Sequence, residues 1–239
     1  MPEQPSLETL RDAQIASGAR LSARVGRTMR LLVAAALVAL GIRIVLVEPF
    51  NIPSASMEPG LLVGDFLFVD KTAYGWSGAA LPFRLPLGAG RLFGRTPARG
   101  DVVVFKLQNG IRADYVKRLI ALPGDRVAVR DGRIILNGAA IPCAPATGGR
   151  CHESLNGHRY LIADATTGPL ANRAEITVPA GRLFLMGDNR ANSADSRVPR
   201  TDGGVGLVPM DAVVGRPARI FFSTGEGGIR WPRIGQAIR

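Results

Sequence analysis

The chain is expected to fold mostly as β-structure behind one N-terminal membrane helix, on three observations. Its 29 glycines and 17 prolines among 239 residues cut it into short pieces. The pieces between them are β-branched and are joined in places by hairpin dipeptides, Asp131-Gly132 and Asn137-Gly138. One uncharged apolar run, residues 31–42, stands near the N-terminus and resumes after Arg43 with Ile44, Val45, Leu46 and Val47. A hydrophobic fraction of 46% with 21% charged residues belongs to a folded chain rather than a disordered one. The length allows one good core, or one core with a small satellite domain.

Residues 1–28 read as a polar tail with a helical tendency at 7–15 and no chemistry of its own. Residues 29–48 read as an anchor. At 1.5 Å per residue the stretch 31–47 spans roughly 26 Å, slightly short of a ~30 Å hydrocarbon layer, and Arg43 near its end can snorkel. A cleavable signal peptide is the alternative reading, but Glu48-Pro49-Phe50 follows where a small-x-small site would be needed. Arg20, Arg24, Arg27 and Arg30 precede the run, so the positive-inside rule puts the N-terminus in the cytoplasm and everything after Val47 outside.

Strands are expected at 64–70 (GDFLFVD), 101–106 (DVVVFK) and 115–122 (YVKRLIAL). Between the first two, residues 75–100 carry Trp76, Phe83 and Phe93 among Gly, Pro, Leu and Arg. They read either as a disordered excursion or as an extended loop or hairpin whose apolar and basic surface dips into lipid headgroups. Short strands over 127–141 open a segment, 126–179, expected to be a small inserted β domain. The chain returns at 183–186 and 212–222, so 49–125 and 180–239 form the main extracytoplasmic domain.

A formal charge of +11 suits nucleic acid, an acidic partner or anionic lipid. The basic residues are scattered and match no nucleic-acid motif, so no nucleic acid is expected and the membrane surface is the favoured partner. Cys143 and Cys151 lie in a Pro/Gly-rich stretch. An oxidising space would let them close a small loop, which is the expectation; two free thiols are the alternative. His152 and His158 nearby lack a zinc spacing and carboxylates are few, so no metal is expected.

Three segments hold candidate chemistry. Pro53-Ser54-Ala55-Ser56-Met57-Glu58-Pro59 favours a tight turn able to expose a hydroxyl, although a turn serine more often caps backbone. In Asp114-Tyr115-Val116-Lys117-Arg118, strand alternation puts Tyr115, Lys117 and Leu119 on one face and Val116, Arg118 and Ile120 on the other. One cation is then partly buried, and alternation alone leaves open which. The run from Gly187 to Arg197, GDNRANSADSR, is too polar for core and orders a loop; a calcium loop is the alternative, weakened by its arginines and sparse carboxylates.

Taken together, EPFNIPSASMEP, GDFLFVDKTAYG, GDVVVFK, DYVKRLIALPGD and MGDNRANSADSR, in that order behind a membrane segment, resemble the bacterial type I signal peptidases, Ser/Lys-dyad serine peptidases. The resemblance implies a signal-peptidase-like β catalytic domain with Ser56 as nucleophile and Lys117 as general base. It makes Ser54 and the Ser56 N–H the oxyanion hole and Ser193 the residue that orients the lysine. Asp195, Arg197 and Arg118 become structural supports, and Phe50, Ile52, Met57, Leu61, Tyr115 and Val116 line the substrate pockets. The implied partners are signal peptides of exported preproteins, cut after small-x-small (Ala-x-Ala) sites at the bacterial inner membrane. The implied protein is a monomer that needs no cofactor.

The chemistry fits the residue types. With both histidines in the insert a histidine triad is out of reach, and lysine serves as base only when neutral. Neutrality near pH 8 takes roughly 3 kcal/mol of destabilisation of the ammonium, which apolar burial supplies. Two departures from the family stand out: Ala191 where an Asp is frequent, which removes a carboxylate from Arg190 or Arg197, and a longer spacer over 197–209. Two rival readings remain. A Ser/Lys self-cleaving repressor would need a DNA-binding helix pair where residues 1–47 offer an anchor; a non-catalytic, membrane-tethered β module binding exported peptides would need no dyad.

Overall fold

In the computed structural model, which describes residues 7–80, 90–107, 114–163 and 166–238, one helix, α1 (Leu7–Val45), runs through both the expected tail and the apolar run. Residues 7–30 contain no proline and are rich in Ala, Leu and Arg, so the polar stretch extends the helix well beyond the expected 7–15. Within it Arg24–Arg43 is long and apolar enough to cross a membrane, and none of that stretch is buried. The helix stops at Val45, so Val47 and Glu48, placed in the anchor from sequence, belong to the first strand. The chain divides into two units, Met1–Ile44 and Val45–Arg239, with no further division inside the second.

The second unit contains β1 (Val47–Asn51), β2 (Asp65–Asp70), β3 (Val102–Lys106), β4 (Asp114–Ala121), β5 (Arg126–Arg130), β6 (Arg133–Leu136), β7 (Ala139–Ala140) and β8 (Cys143–Ala146). It continues with β9 (Arg150–Leu155), β10 (His158–Ala163), β11 (Arg173–Thr177), β12 (Arg182–Met186), β13 (Val208–Pro209), β14 (Val213–Gly225) and β15 (Gly228–Ile229). The main sheet has the order β1-β2-β14-β3-β4-β12-β13, with β15 on β14. Pro49, which has no N–H to give a neighbour, is tolerated because β1 is an edge strand. The long β14 turns from β3 to β2 through register shifts, which bend the sheet.

The described residues of 126–179 form two smaller sheets, β11-β5-β6-β7 and β10-β9-β8. The hairpin turn at Asn137-Gly138 has φ of 52° and 86°, the left-handed pair that its dipeptide favours. Cys143 and Cys151 are joined by a disulfide between β8 and β9. Among the described residues, Val127, Ile134, Tyr160 and Ile162 of the insert pack in one core with Ile120, Ala121, Phe184 and Met186 of the main sheet. The insert's position is thereby tied to β4 and β12.

The described parts of 75–100 are held in place. Trp76 pairs with Leu92, and the Arg91 guanidinium donates to the carbonyls of Tyr74, Gly75, Met210 and Val213, so the excursion reading does not hold there. Phe93 stands edge-on to Trp76 and is exposed, while Phe83 lies outside the described residues. Near the other end, Arg233 and Arg230 bind back to Asp65 and to the Val63 carbonyl while Trp231 between them faces solvent.

Two further cores cover the two faces of β4. Val116 joins Ile52, Met57, Leu61, Leu67 and Val69 on one side; Tyr115 and Leu119 join Val103, Phe105, Leu183 and Leu185 on the other. A strand buried on both faces leaves no solvent side for either cation. Lys117 is 4% exposed and Arg118 2%, which corrects the expectation that one of them is inside.

Candidate active site

The turn at Ser56 is built by contrast. Ser54 is extended, Ala55–Met57 form one 3-10 turn, and Met57 is fully buried in the core with Ile52 and Leu61. Burying Met57 pins the turn and leaves the two serine side chains outside the core. Ser54 Oγ lies 3.2 Å from Ser56 Oγ.

Lys117 enters from β4. Its Nζ donates to Ser56 Oγ at 2.6 Å and to the Val116 carbonyl at 3.1 Å. Apolar burial lowers its ammonium from 10.5 to about 8, against an opposing pull from Asp195 and Asp188. A lysine poised there exchanges its proton near neutral pH and touches a hydroxyl, a pair suited to nucleophilic attack by oxygen.

The loop over 187–197 clamps the turn. Asn189 donates from its backbone N–H to the Ser56 carbonyl and from Nδ2 to the Ala55 carbonyl, both at 3.1 Å. Gly187 passes so close that an added Cβ would lie 2.3 Å from both the Ser56 carbonyl oxygen and Ser193 Oγ, so no larger residue fits without moving the turn. Asp195 accepts from the Gly187 N–H and forms a two-toothed pair with Arg197, whose guanidinium also donates to the Arg190 and Leu170 carbonyls. Ser193 Oγ is buried and, among the described residues, makes no hydrogen bond. The lysine-orienting contact expected of Ser193 is therefore not formed in this arrangement, because the Lys117 ammonium is turned to Ser56.

Arg118, next to Lys117, makes a buried two-toothed pair with Asp188 at 2.8 and 2.7 Å and lies 3.7 Å above the Tyr160 ring. Arg190 is fully buried against Glu153, and Arg197 has Asp195. Neither arginine lacks a carboxylate, so the loss anticipated at Ala191 is made good by Glu153 of β9. Sequence reasoning assigned no site role to Asp188, Arg190, Glu153 and Tyr160, naming Arg190 only beside the carboxylate missing at Ala191. The only signal for the first two was their place in a polar loop. Glu153 and Tyr160 sit in the insert with no motif around them.

Of the expected pocket residues, Ile52, Met57, Leu61 and Val116 meet in one core with Phe50 at its edge. Tyr115 does not join them, since alternation sends its ring to the opposite face, stacked on Phe105. β12 pairs with β4 only as far as Arg118, so no described strand occupies that edge of residues 114–117. A cavity of about 190 Å³ lies against Met57 and Leu61, with Gly60, Arg118, Tyr160 and Asp188 in its wall.

A family model described as signal peptidase, peptidase S26, matches residues 25–222. A signal peptidase I of Rickettsia typhi is 36% identical over 206 residues, which cover 78% of this chain and 76% of that protein. One of Rickettsia canadensis is 37% identical over 209 residues with the same shares. Among solved structures, a signal peptidase I from Enterococcus faecalis V583 aligns with 51% of this chain and 97% of its own, at 25% identity and a TM-score of 0.33.

Proposed function

Since the chain belongs to the S26 signal peptidase family, we propose that it is a membrane-anchored endopeptidase that removes signal peptides from exported preproteins with a Ser56–Lys117 dyad. The observation that carries the dyad is the 2.6 Å contact between Lys117 Nζ and Ser56 Oγ in apolar surroundings. Neutral Lys117 takes the Ser56 proton as the hydroxyl attacks the scissile carbonyl; the resulting ammonium then protonates the leaving amine. Water, deprotonated by the same lysine, releases the acyl group. The oxyanion is met by the Ser56 N–H and the Ser54 hydroxyl. The unpartnered hydroxyl of Ser193, beside Gly187, is the group we assign to hold Lys117 once Ser56 has been acylated.

The substrate enters as an extended strand along the edge of residues 115–117 that no described strand occupies, with Tyr115 and Val116 supplying backbone partners. Alternate side chains then reach the apolar wall of Phe50, Ile52, Met57, Leu61 and Val116, a packed surface that admits small groups such as alanine and excludes bulky ones. The helix over Arg24–Arg43 anchors the enzyme in the bacterial inner membrane, N-terminus inside and residues from β1 onward outside. Enzyme and precursor then share one surface, and weak peptide affinity suffices at the resulting local concentration. The disulfide accords with an oxidising exterior.

The test is cleavage of a precursor with an Ala-x-Ala site by the detergent-solubilised chain. Cleavage after the second alanine, lost when that alanine becomes phenylalanine, is expected; no cleavage of any precursor would favour the peptide-binding module. Ser54→Ala, which removes one oxyanion donor and leaves the dyad, is expected to lower kcat about 10²- to 10³-fold with little change in KM. An unchanged kcat would take Ser54 out of the oxyanion hole.

A further inference from the structure

We propose that Glu153 is a positioning residue for the reaction: the β9–β10 hairpin of the insert aligns the Ser56 turn with Lys117 through Glu153 and Tyr160. The inference rests on the dyad reading above and goes beyond it, because it assigns the insert a part in catalysis.

The chain of contacts is continuous. Glu153 and Tyr160 face each other across β9 and β10, and the Tyr160 hydroxyl donates to Glu153 Oε2 at 2.8 Å. Glu153 then grips both terminal nitrogens of Arg190, whose Nε donates to the Gly187 carbonyl at 3.1 Å. Gly187 is in close contact with the Ser56 backbone, and Asn189 two residues on holds the Ala55 and Ser56 carbonyls. In the other direction the Tyr160 ring lies under Arg118, the neighbour of Lys117 on β4. The end of β10 adds a backbone lock, with the Asp188 carbonyl accepting from Ala163 N–H and the Ala163 carbonyl from Arg190 N–H. One hairpin therefore contacts β4 directly through Tyr160 and, through Arg190 and the loop over 187–197, bears on the turn whose distance from β4 sets the Ser56–Lys117 contact.

Burial alone would raise the Glu153 carboxyl, yet the Arg190 guanidinium, the Tyr160 hydrogen bond and the Arg118 charge together outweigh it and keep the group below the usual carboxylate range, hence charged. Glu153 is 2% exposed and Arg190 fully buried. A buried ion pair of this kind is seldom the most stable filling of its space, and fixing a register is the best-attested use for one. Misplacement of reacting groups by about 1 Å costs about 10²-fold in rate.

The experiment compares the wild-type full chain with Glu153→Gln and with the apolar double replacement Glu153→Met, Arg190→Met, measuring melting temperature, kcat and KM on one precursor. The double replacement is expected to melt at or above the wild-type temperature while kcat stays about 10²-fold down and KM moves less than about twofold. Glu153→Gln is expected to show the same split between kcat and KM. A wild-type kcat in either folded variant overturns the proposal and makes the pair a purely structural one. Glu153→Asp covers the case in which both variants fail to fold: a kcat lowered about tenfold with KM unchanged is expected, and an unchanged kcat overturns the proposal. Ser56→Ala runs alongside, and activity retained there would count against the dyad and not against Glu153.

Discussion

Lys117→Met is expected to lower precursor cleavage by about 10⁴-fold or more and, at pH 7, to make the protein more stable. The loss of rate follows from the dyad, since no other described group touches Ser56 Oγ except Ser54, and a hydroxyl cannot serve as base. Ser56→Ala should be equally inactive, and combining the two should cost little more, because the two groups act as a unit. Lys117→Arg should fail as well, since a guanidinium does not give up its proton at any working pH.

The gain in stability has a definite sign. The ammonium falls from 10.5 in an exposed lysine to about 8 in the fold because it is buried, so below pH 8 the folded chain carries a charge that costs on the order of 3 kcal/mol relative to the unfolded chain. Between pH 8 and 10.5 the unfolded chain binds the proton that the folded chain has released, and stability rises with pH across that window. Methionine removes the charge at the loss of two hydrogen bonds, to Ser56 Oγ and the Val116 carbonyl, each worth about 1 kcal/mol, for a net gain on the order of 1 kcal/mol at pH 7. Thermal melts should show the variant above wild type at pH 7 and the gap closing above pH 8. A variant that melts below wild type at pH 7 would deny the burial argument even if it were inactive.

Asp188→Ala is expected to cost about 3–5 kcal/mol of stability, the largest single loss anticipated at the site. It leaves the Arg118 guanidinium, 2% exposed, without its two-toothed partner. The Gly100 carbonyl and the Tyr160 ring remain as contacts but carry no neutralising charge. Denaturant titration should show the midpoint fall sharply with the slope unchanged. The double replacement Arg118→Met, Asp188→Leu should recover most of the stability, because the penalty lies in the uncompensated charge and not in the absence of the pair. If Asp188→Ala unfolds at the wild-type midpoint, the pair is solvated in solution and the packing around β4 described above is incorrect.

Much of the architecture is legible in the sequence because it rests on local signals. Runs such as VVVF and RLIAL can satisfy themselves only as strands covered on both faces, and Asn137-Gly138 specifies its turn. The apolar run near the N-terminus declares a helix, although sequence alone stops that helix short, since polar helix and polar tail differ only in propensity. Alternation along β4 separates Tyr115 from Val116 correctly but cannot say that both faces are covered. For that reason the burial of Lys117 together with Arg118 is visible only in three dimensions, and so is the turning of Tyr115 away from the other proposed pocket residues. The meeting of Ser56 with Lys117 likewise depends on folding β4 under the turn; in the sequence it follows from family resemblance and not from spacing. Glu153 and Tyr160 were illegible for a different reason. Their partners Arg190 and Arg118 lie 37 and 42 positions away, and a charged or aromatic residue in a hairpin gives no sign that it serves a distant loop.

The central claim is that apolar surroundings lower the Lys117 ammonium from 10.5 to about 8, so that a working share of the amine is neutral near physiological pH. Titration of its Cε–Nζ resonances by NMR, in the detergent-solubilised full chain with Lys117→Met as the assignment control, measures this directly. The account predicts a midpoint of about 8, accompanied by a rise in kcat through the same pH. A midpoint near the 10.5 of an exposed lysine would contradict it.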